Sequence, residues 1–132
     1  MSSRMNSFED YLWSFKLQFK TYWLKKYYRK LSLPTSKNQN YIYFAASYQP
    51  EATTTVGAGI YEDLFHALEI IIAAMPEDWV VYFKEHPSIF HYFDKGVLRR
   101  DKHYYDKLRL MDKVRIISFN EDSVDLIAHS RA

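Results

Sequence analysis

Trp79-Val80-Val81-Tyr82-Phe83-Lys84-Glu85-His86-Pro87 decides the fold: a β-branched and aromatic run that turns abruptly polar. Preceded by the turn-forming Pro76-Glu77-Asp78, so short a run reads as a buried parallel strand rather than a piece of helix. Pro87 cannot continue a strand ladder and holds His86 extended, so the strand ends there. Lys84, Glu85 and His86 therefore lie at its carboxyl edge, where open α/β sheets bind their ligands.

Outward from this strand, the pattern alternates. Upstream, Tyr61 to Met75 has helical spacing, with Leu64, Leu68, Ile71 and Ile72 on one side. Before it comes the polar loop Gln49 to Gly59, and before that Tyr41 to Ala46 reads as a first buried strand. Strand, loop, helix and strand make a βαβ unit. Downstream, an irregular stretch to about residue 101 leads to a short helix at Tyr104 to Leu110 and a third strand at Val114 to Ile117. Asn120-Glu121-Asp122-Ser123 then offers capping residues for a last helix through Val124, Leu126 and Ile127. The expected class is α/β: a partial Rossmann-like, three-layer parallel sheet preceded by a long amphipathic helix.

That helix occupies residues 7 to 33, with Ser7 and Asp10 in capping-box spacing and apolar residues at Phe8, Leu12, Phe15, Phe19, Trp23 and Tyr27. The other face is expected to carry Lys16, Lys20, Lys25, Lys26, Arg29 and Lys30. Two readings fit: packing against the domain or another one, and lying on an anionic membrane surface with aromatics at headgroup depth. Residues 34 to 40 are turn-rich and read as a linker, which divides the chain into a helix over 1–33 and a domain over 41–132.

Composition narrows the function classes. A chain of 132 residues with 48% apolar content has room for one domain and an appendage. Its formal charge of +2 is small, so bulk electrostatics argue for neither nucleic acid nor membrane, and no nucleic acid is expected as a partner. The absence of cysteine excludes disulfides, thiolate metal sites and a cysteine nucleophile, and suits the cytoplasm. No run is long and apolar enough to span a bilayer, and no secretory signal is recognisable.

The candidate chemistry sits at the strand end. Alternation sends Lys84 and His86 to one face and Glu85 to the other, and a lysine or histidine there can meet a phosphate. A solvated strand end is the plainer reading. The Gln49 to Gly59 loop could present backbone N–H groups and threonine hydroxyls to an anion, although it is neither a Walker loop nor a dinucleotide fingerprint. Arg99 and Arg100 fit a phosphate clamp or, more simply, a solvated basic pair. His66, His86, His91, His103 and His129 show no metal-ligand spacing, so no metal or cofactor is expected.

Gln49-Pro50-Glu51-Ala52-Thr53-Thr54, Lys84-Glu85-His86-Pro87, and Asp122-Ser123 with Leu126-Ile127 and Ser130-Arg131-Ala132 together resemble bacterial capsule and surface-polysaccharide biosynthesis proteins, which are glycosyltransferases of the GT-B type. The resemblance implies a nucleotide-activated sugar donor, of cytidine or uridine type, and a glycan acceptor. It implies that His86 contacts the donor's phosphate or nucleotide, supported by Lys84 and Glu85. Glu51, Thr53 and Thr54 would line the cleft, and Asp122 and Ser123 would approach the nucleoside. The resemblance, which covers about Tyr41 to Ala132, also implies a cytoplasmic location, and the helix reading allows residues 7–33 to make the chain peripheral at the inner face of the membrane. Relatives continue past the position of Ala132 into a further strand, so the chain reads as a fragment whose first strand is an open edge, inviting self-association or a covering partner. Two rivals stand beside this reading: a non-catalytic module that binds a nucleotide or a protein, and a membrane-surface adaptor.

Overall fold

The computed structural model describes residues 7–46, 59–91 and 100–132. In chain order the elements are α1 (Ser7–Leu31), β1 (Tyr41–Ala45), α2 (Gly59–Ala74), β2 (Val80–Lys84), a short 3-10 helix (Pro87–Phe90), α3 (Lys102–Leu110), β3 (Val114–Ile117) and α4 (Ser123–His129). The strands form one parallel sheet in the order β1-β2-β3, with Phe44 opposite Phe83 and Phe83 opposite Ile116. The class is α/β, as the alternation of short apolar runs and helical spacing implies. The central strand is buried at every position because helices cover both of its faces.

Side-chain alternation divides the core. Val81 and Phe83 pack with Leu24 and Tyr28 of α1, Leu68 of α2 and Leu108 of α3. Val80 and Tyr82 face the other way, with Tyr41, Ile117 and Leu126 of α4. The chain thus changes face after β3. Ser130 then leaves α4 in an extended conformation, with φ −73° and ψ 157°. It returns the chain to β1, where Arg131 N–H donates to Tyr41 O at 2.9 Å and Tyr43 N–H donates to Ala132 O at 3.2 Å. The start of the β1 edge, at Tyr41 and Tyr43, is therefore covered, where the sequence expectation left the whole strand open. Residues 131 and 132 occupy the place that a fourth strand takes in a doubly wound sheet of order 3-2-1-4.

The long helix is present, but its buried face differs from the expected one. Phe8, Leu12, Phe15, Phe19 and Trp23 point outward and are exposed. Leu17, Thr21, Leu24, Tyr28 and Leu31 face the domain instead and are buried. The helix carries apolar residues on two opposite arcs, and spacing alone cannot tell which arc the sheet will take. Tyr28 decides it. Its hydroxyl accepts from Glu85 N–H at 3.0 Å and donates to Ile117 O at 2.7 Å, so one side chain satisfies buried backbone groups at the ends of β2 and β3. Its ring lies 5.2 Å from that of Tyr105 and 5.4 Å from that of Phe90. The Tyr27 hydroxyl bonds Asp106 and ties the same helix to α3. The side chain of Ser7, expected in a cap, lies outside the described residues.

Residues 34–40 are tied to the sheet rather than hanging between two bodies. Leu33 N–H donates to Ile116 O at 2.8 Å beside β3, Ser36 N–H donates to the Tyr82 hydroxyl at 3.1 Å, and Asn40 O accepts from Val80 N–H at 3.1 Å. The segment crosses from the β3 edge to the start of β1, and α1 shares one core with the sheet.

Tyr28→Phe keeps the ring and removes the hydroxyl, leaving the Glu85 N–H and the Ile117 carbonyl without that partner. Urea unfolding is expected to show a loss of about 1–3 kcal/mol at unchanged m-value. An unchanged midpoint would contradict the role given to this hydroxyl.

Candidate functional site

The carboxyl ends of β1 and β2 frame a crevice of about 100 Å³, lined by Tyr43, Ala45, Ala46, Lys84, Glu85, His86, Pro87 and Ser123. Four of the residues singled out from the sequence, Lys84, Glu85, His86 and Ser123, thus meet in one place. Glu51, Thr53 and Thr54 lie outside the described residues, as do the rest of the loop over 47–58 and Arg99.

Lys84 is buried on the α4 face of the sheet. Its ammonium donates to Glu121 O at 2.5 Å and to the Ser123 hydroxyl at 2.7 Å. The Tyr43 hydroxyl, 3.2 Å from Ser123 Oγ, extends the chain of polar contacts across to β1. Burial lowers the Lys84 pKa, against the raising influence of Asp122 and Glu121. Asp122 caps α4, accepting from Val124 N–H at 2.8 Å and Asp125 N–H at 3.4 Å. Its position at the helix start is the expected one, and its carboxylate is engaged with its own backbone.

Glu85 faces the opposite way and is fully buried, so neither it nor Lys84 belongs to a solvated strand end. Its carboxylate accepts from Arg100 Nε at 2.9 Å, from the Tyr105 hydroxyl at 2.7 Å and from His86 N–H at 3.1 Å. Arg100 is itself only 4% exposed, so it is the partner of a buried carboxylate and not a solvated cation. Burial disfavours its charge, but the Glu85 carboxylate more than offsets this and holds the guanidinium above its ordinary range. Sequence reasoning missed this arrangement. Arg100 directly precedes Asp101, the N-cap of α3 whose carboxylate accepts from Tyr104 N–H at 2.7 Å, and that cap was its only local signal.

His86 sits exposed at the mouth of the crevice. It caps the 3-10 helix, with Nδ1 accepting from Ser88 N–H at 3.2 Å, and Pro87 occupies the first turn. A neutral ring holding this bond carries its proton on Nε2. The alternation expected from sequence is present: Lys84 and His86 lie toward the crevice and Glu85 toward the core. Among the described residues no three His, Asp or Glu side chains are grouped to hold a metal ion. No family model, curated protein or solved structure matches the chain.

The buried cluster around Glu85, behind the crevice, carries a pH signature. Burial, with the Glu85 charge adding to it, raises the Tyr28 and Tyr105 hydroxyls above the ordinary tyrosine value of 10.0. In the folded chain they keep protons that an unfolded tyrosine loses. Their contribution to stability is complete below pH 10.0 and is lost as pH rises beyond it. Lys84, whose folded value is lowered, has the opposite sign: below its ordinary 10.5 it favours folding as pH rises. Urea unfolding above about pH 10.5 should therefore lose up to about 1.4 kcal/mol per pH unit for each of the two tyrosines. Tyr105→Phe should flatten that slope, and an equal slope in the variant would contradict the assignment.

Proposed function

We propose that this chain is the donor-binding part of a glycosyltransferase of capsular or surface-polysaccharide assembly, holding a phosphate of a nucleotide-activated sugar in the crevice between β1 and β2. The observation that carries the reading is the meeting of Lys84, His86 and Ser123 at the carboxyl ends of neighbouring parallel strands, beside the point where α4 passes to the other face of the sheet. In doubly wound sheets that is where nucleotides bind. The motif resemblance supplies the chemical class.

The crevice volume, about 100 Å³, suits a phosphate group rather than a whole nucleotide. Among the described residues the Lys84 ammonium donates twice, which leaves its third proton for a phosphate oxygen. His86 Nε2 would donate from the mouth. Glu85, held by Arg100 and Tyr105, fixes the backbone from which both project and serves as a positioning residue. Ser123 orients the lysine, Asp122 holds the start of α4, and Glu51, Thr53 and Thr54 would complete the cleft. Two fixed donors at the phosphate stabilise charge building on a departing nucleotide, and that is the contribution this part of a transferase makes.

Calorimetric and thermal-shift titration of the chain with CMP, CDP, UDP and GDP tests the reading. One pyrimidine nucleotide is expected to bind and to raise Tm, and His86→Ala should weaken it by about tenfold or more while costing about 1 kcal/mol of urea stability for the lost cap on Ser88 N–H. A folded chain that responds to none of the four would overturn the proposal in favour of a non-catalytic module.

A further inference from the structure

We propose that the outward face of α1 docks on an anionic lipid bilayer, an inference independent of the donor site. Phe8, Phe15, Phe19 and Trp23 are 70%, 61%, 58% and 50% exposed, and Leu12 and Tyr22 are exposed beside them. At about 100° per residue these side chains share one arc, opposite the buried Leu17, Leu24 and Tyr28. The arc runs about 24 Å along the helix from residue 8 to residue 23. Further along, the same arc carries Lys26 and Lys30, against the expectation that they occupy the other face, while Lys16 borders it and Arg29 turns to the domain, 5.4 Å over the Phe119 ring. Of the acidic residues of this helix, Asp10 falls on the domain side, whereas exposed Glu9 lies on the border of the arc between Lys16 and Lys20.

An aromatic face whose fringe carries Lys16, Lys26 and Lys30 against one bordering carboxylate, Glu9, complements a surface of apolar chains beneath anionic phosphates. Tyrosine and tryptophan rings suit the headgroup depth, and each basic residue near such a surface adds attraction. A second copy of the chain would bring two arcs together on which the lysines outnumber the single bordering acid, Glu9. The helix lies on the surface rather than crossing it: none of the described helices is long and apolar enough to span. Beside the arc, α1 and the start of α3 enclose an apolar groove of about 380 Å³ between Phe19, Trp23 and Tyr27, with Lys20, Lys102 and Asp101 at its rim. A groove of that size accepts part of an acyl chain while the lysines meet the headgroup phosphate.

Co-sedimentation of the full chain with vesicles of phosphatidylglycerol and phosphatidylcholine, against phosphatidylcholine alone, tests the proposal. Binding to the anionic vesicles is expected, screened by high salt and accompanied by a blue shift of tryptophan emission. Phe15→Glu with Phe19→Glu, and separately Lys26→Glu with Lys30→Glu, should each weaken binding by about tenfold or more, with unchanged urea midpoints because all four side chains are exposed. No binding, equal binding to both vesicle types, or full binding by either double variant overturns the proposal. A dimer that dissociates in the phenylalanine variant, with no vesicle binding, assigns the face to a second copy instead. Nucleotide titration is unaffected by these changes, so failure here is distinguishable from failure of the donor reading.

Discussion

Glu85 places a carboxylate in a fully buried position at the end of the central strand, and much of the fold follows from the need to satisfy it. An isolated buried charge costs several kcal/mol, so the site holds only with partners in place. Arg100 neutralises it, Tyr105 and the His86 N–H complete its hydrogen bonds, and Tyr28 takes up the Glu85 N–H. These partners come from α1, from the start of α3 and from the chain just after β2. The charge therefore fixes how α1 and α3 sit against the sheet, and a rim of aromatic rings from Tyr28, Phe90, Tyr105 and Phe119 closes over it. By alternation, the strand that points Glu85 inward points Lys84 and His86 to the crevice. One buried interaction thus sets both the packing of the helices and the geometry of the candidate site.

The sheet was legible because its signals are local. Short β-branched and aromatic runs, bounded by Pro76 to Asp78 and by Pro87, mark β2, and Asp122 marks the start of α4 through its own capping bond. The position of Lys84 and His86 on one face follows from strand period alone. The Glu85 to Arg100 pair was not legible, since the residues between them carry no periodic pattern and adjacent Arg99 and Arg100 look alike in sequence. Partner choice across such a stretch is tertiary information. The return of Arg131 and Ala132 to β1 was hidden for the same reason, as it depends on α4 passing to the far face of the sheet.

The orientation of α1 illustrates a different limit. Its aromatic stripe at Phe8, Leu12, Phe15, Phe19 and Trp23 is a true helical stripe, yet the sheet takes the arc bearing Leu17, Leu24 and Tyr28. The domain selects by polar satisfaction as well as by apolar area, and only Tyr28 carries a hydroxyl that reaches both strand ends. The displaced stripe is left for another surface, which connects the two proposals physically. A transferase that extends a surface glycan works beside a membrane, and a basic aromatic helix packed on the same core would hold its donor crevice there.

The decisive measurement is a map of backbone amide shifts in the isotopically labelled full chain during nucleotide titration. A donor crevice between β1 and β2 requires saturable shifts centred on Ala45, Ala46, His86, Ser88 and Ser123, with the Glu85 and Tyr105 amides following less strongly from behind the strand. Shifts centred on another surface, or none with nucleotide in the millimolar range while the spectrum remains that of a folded protein, would contradict the account.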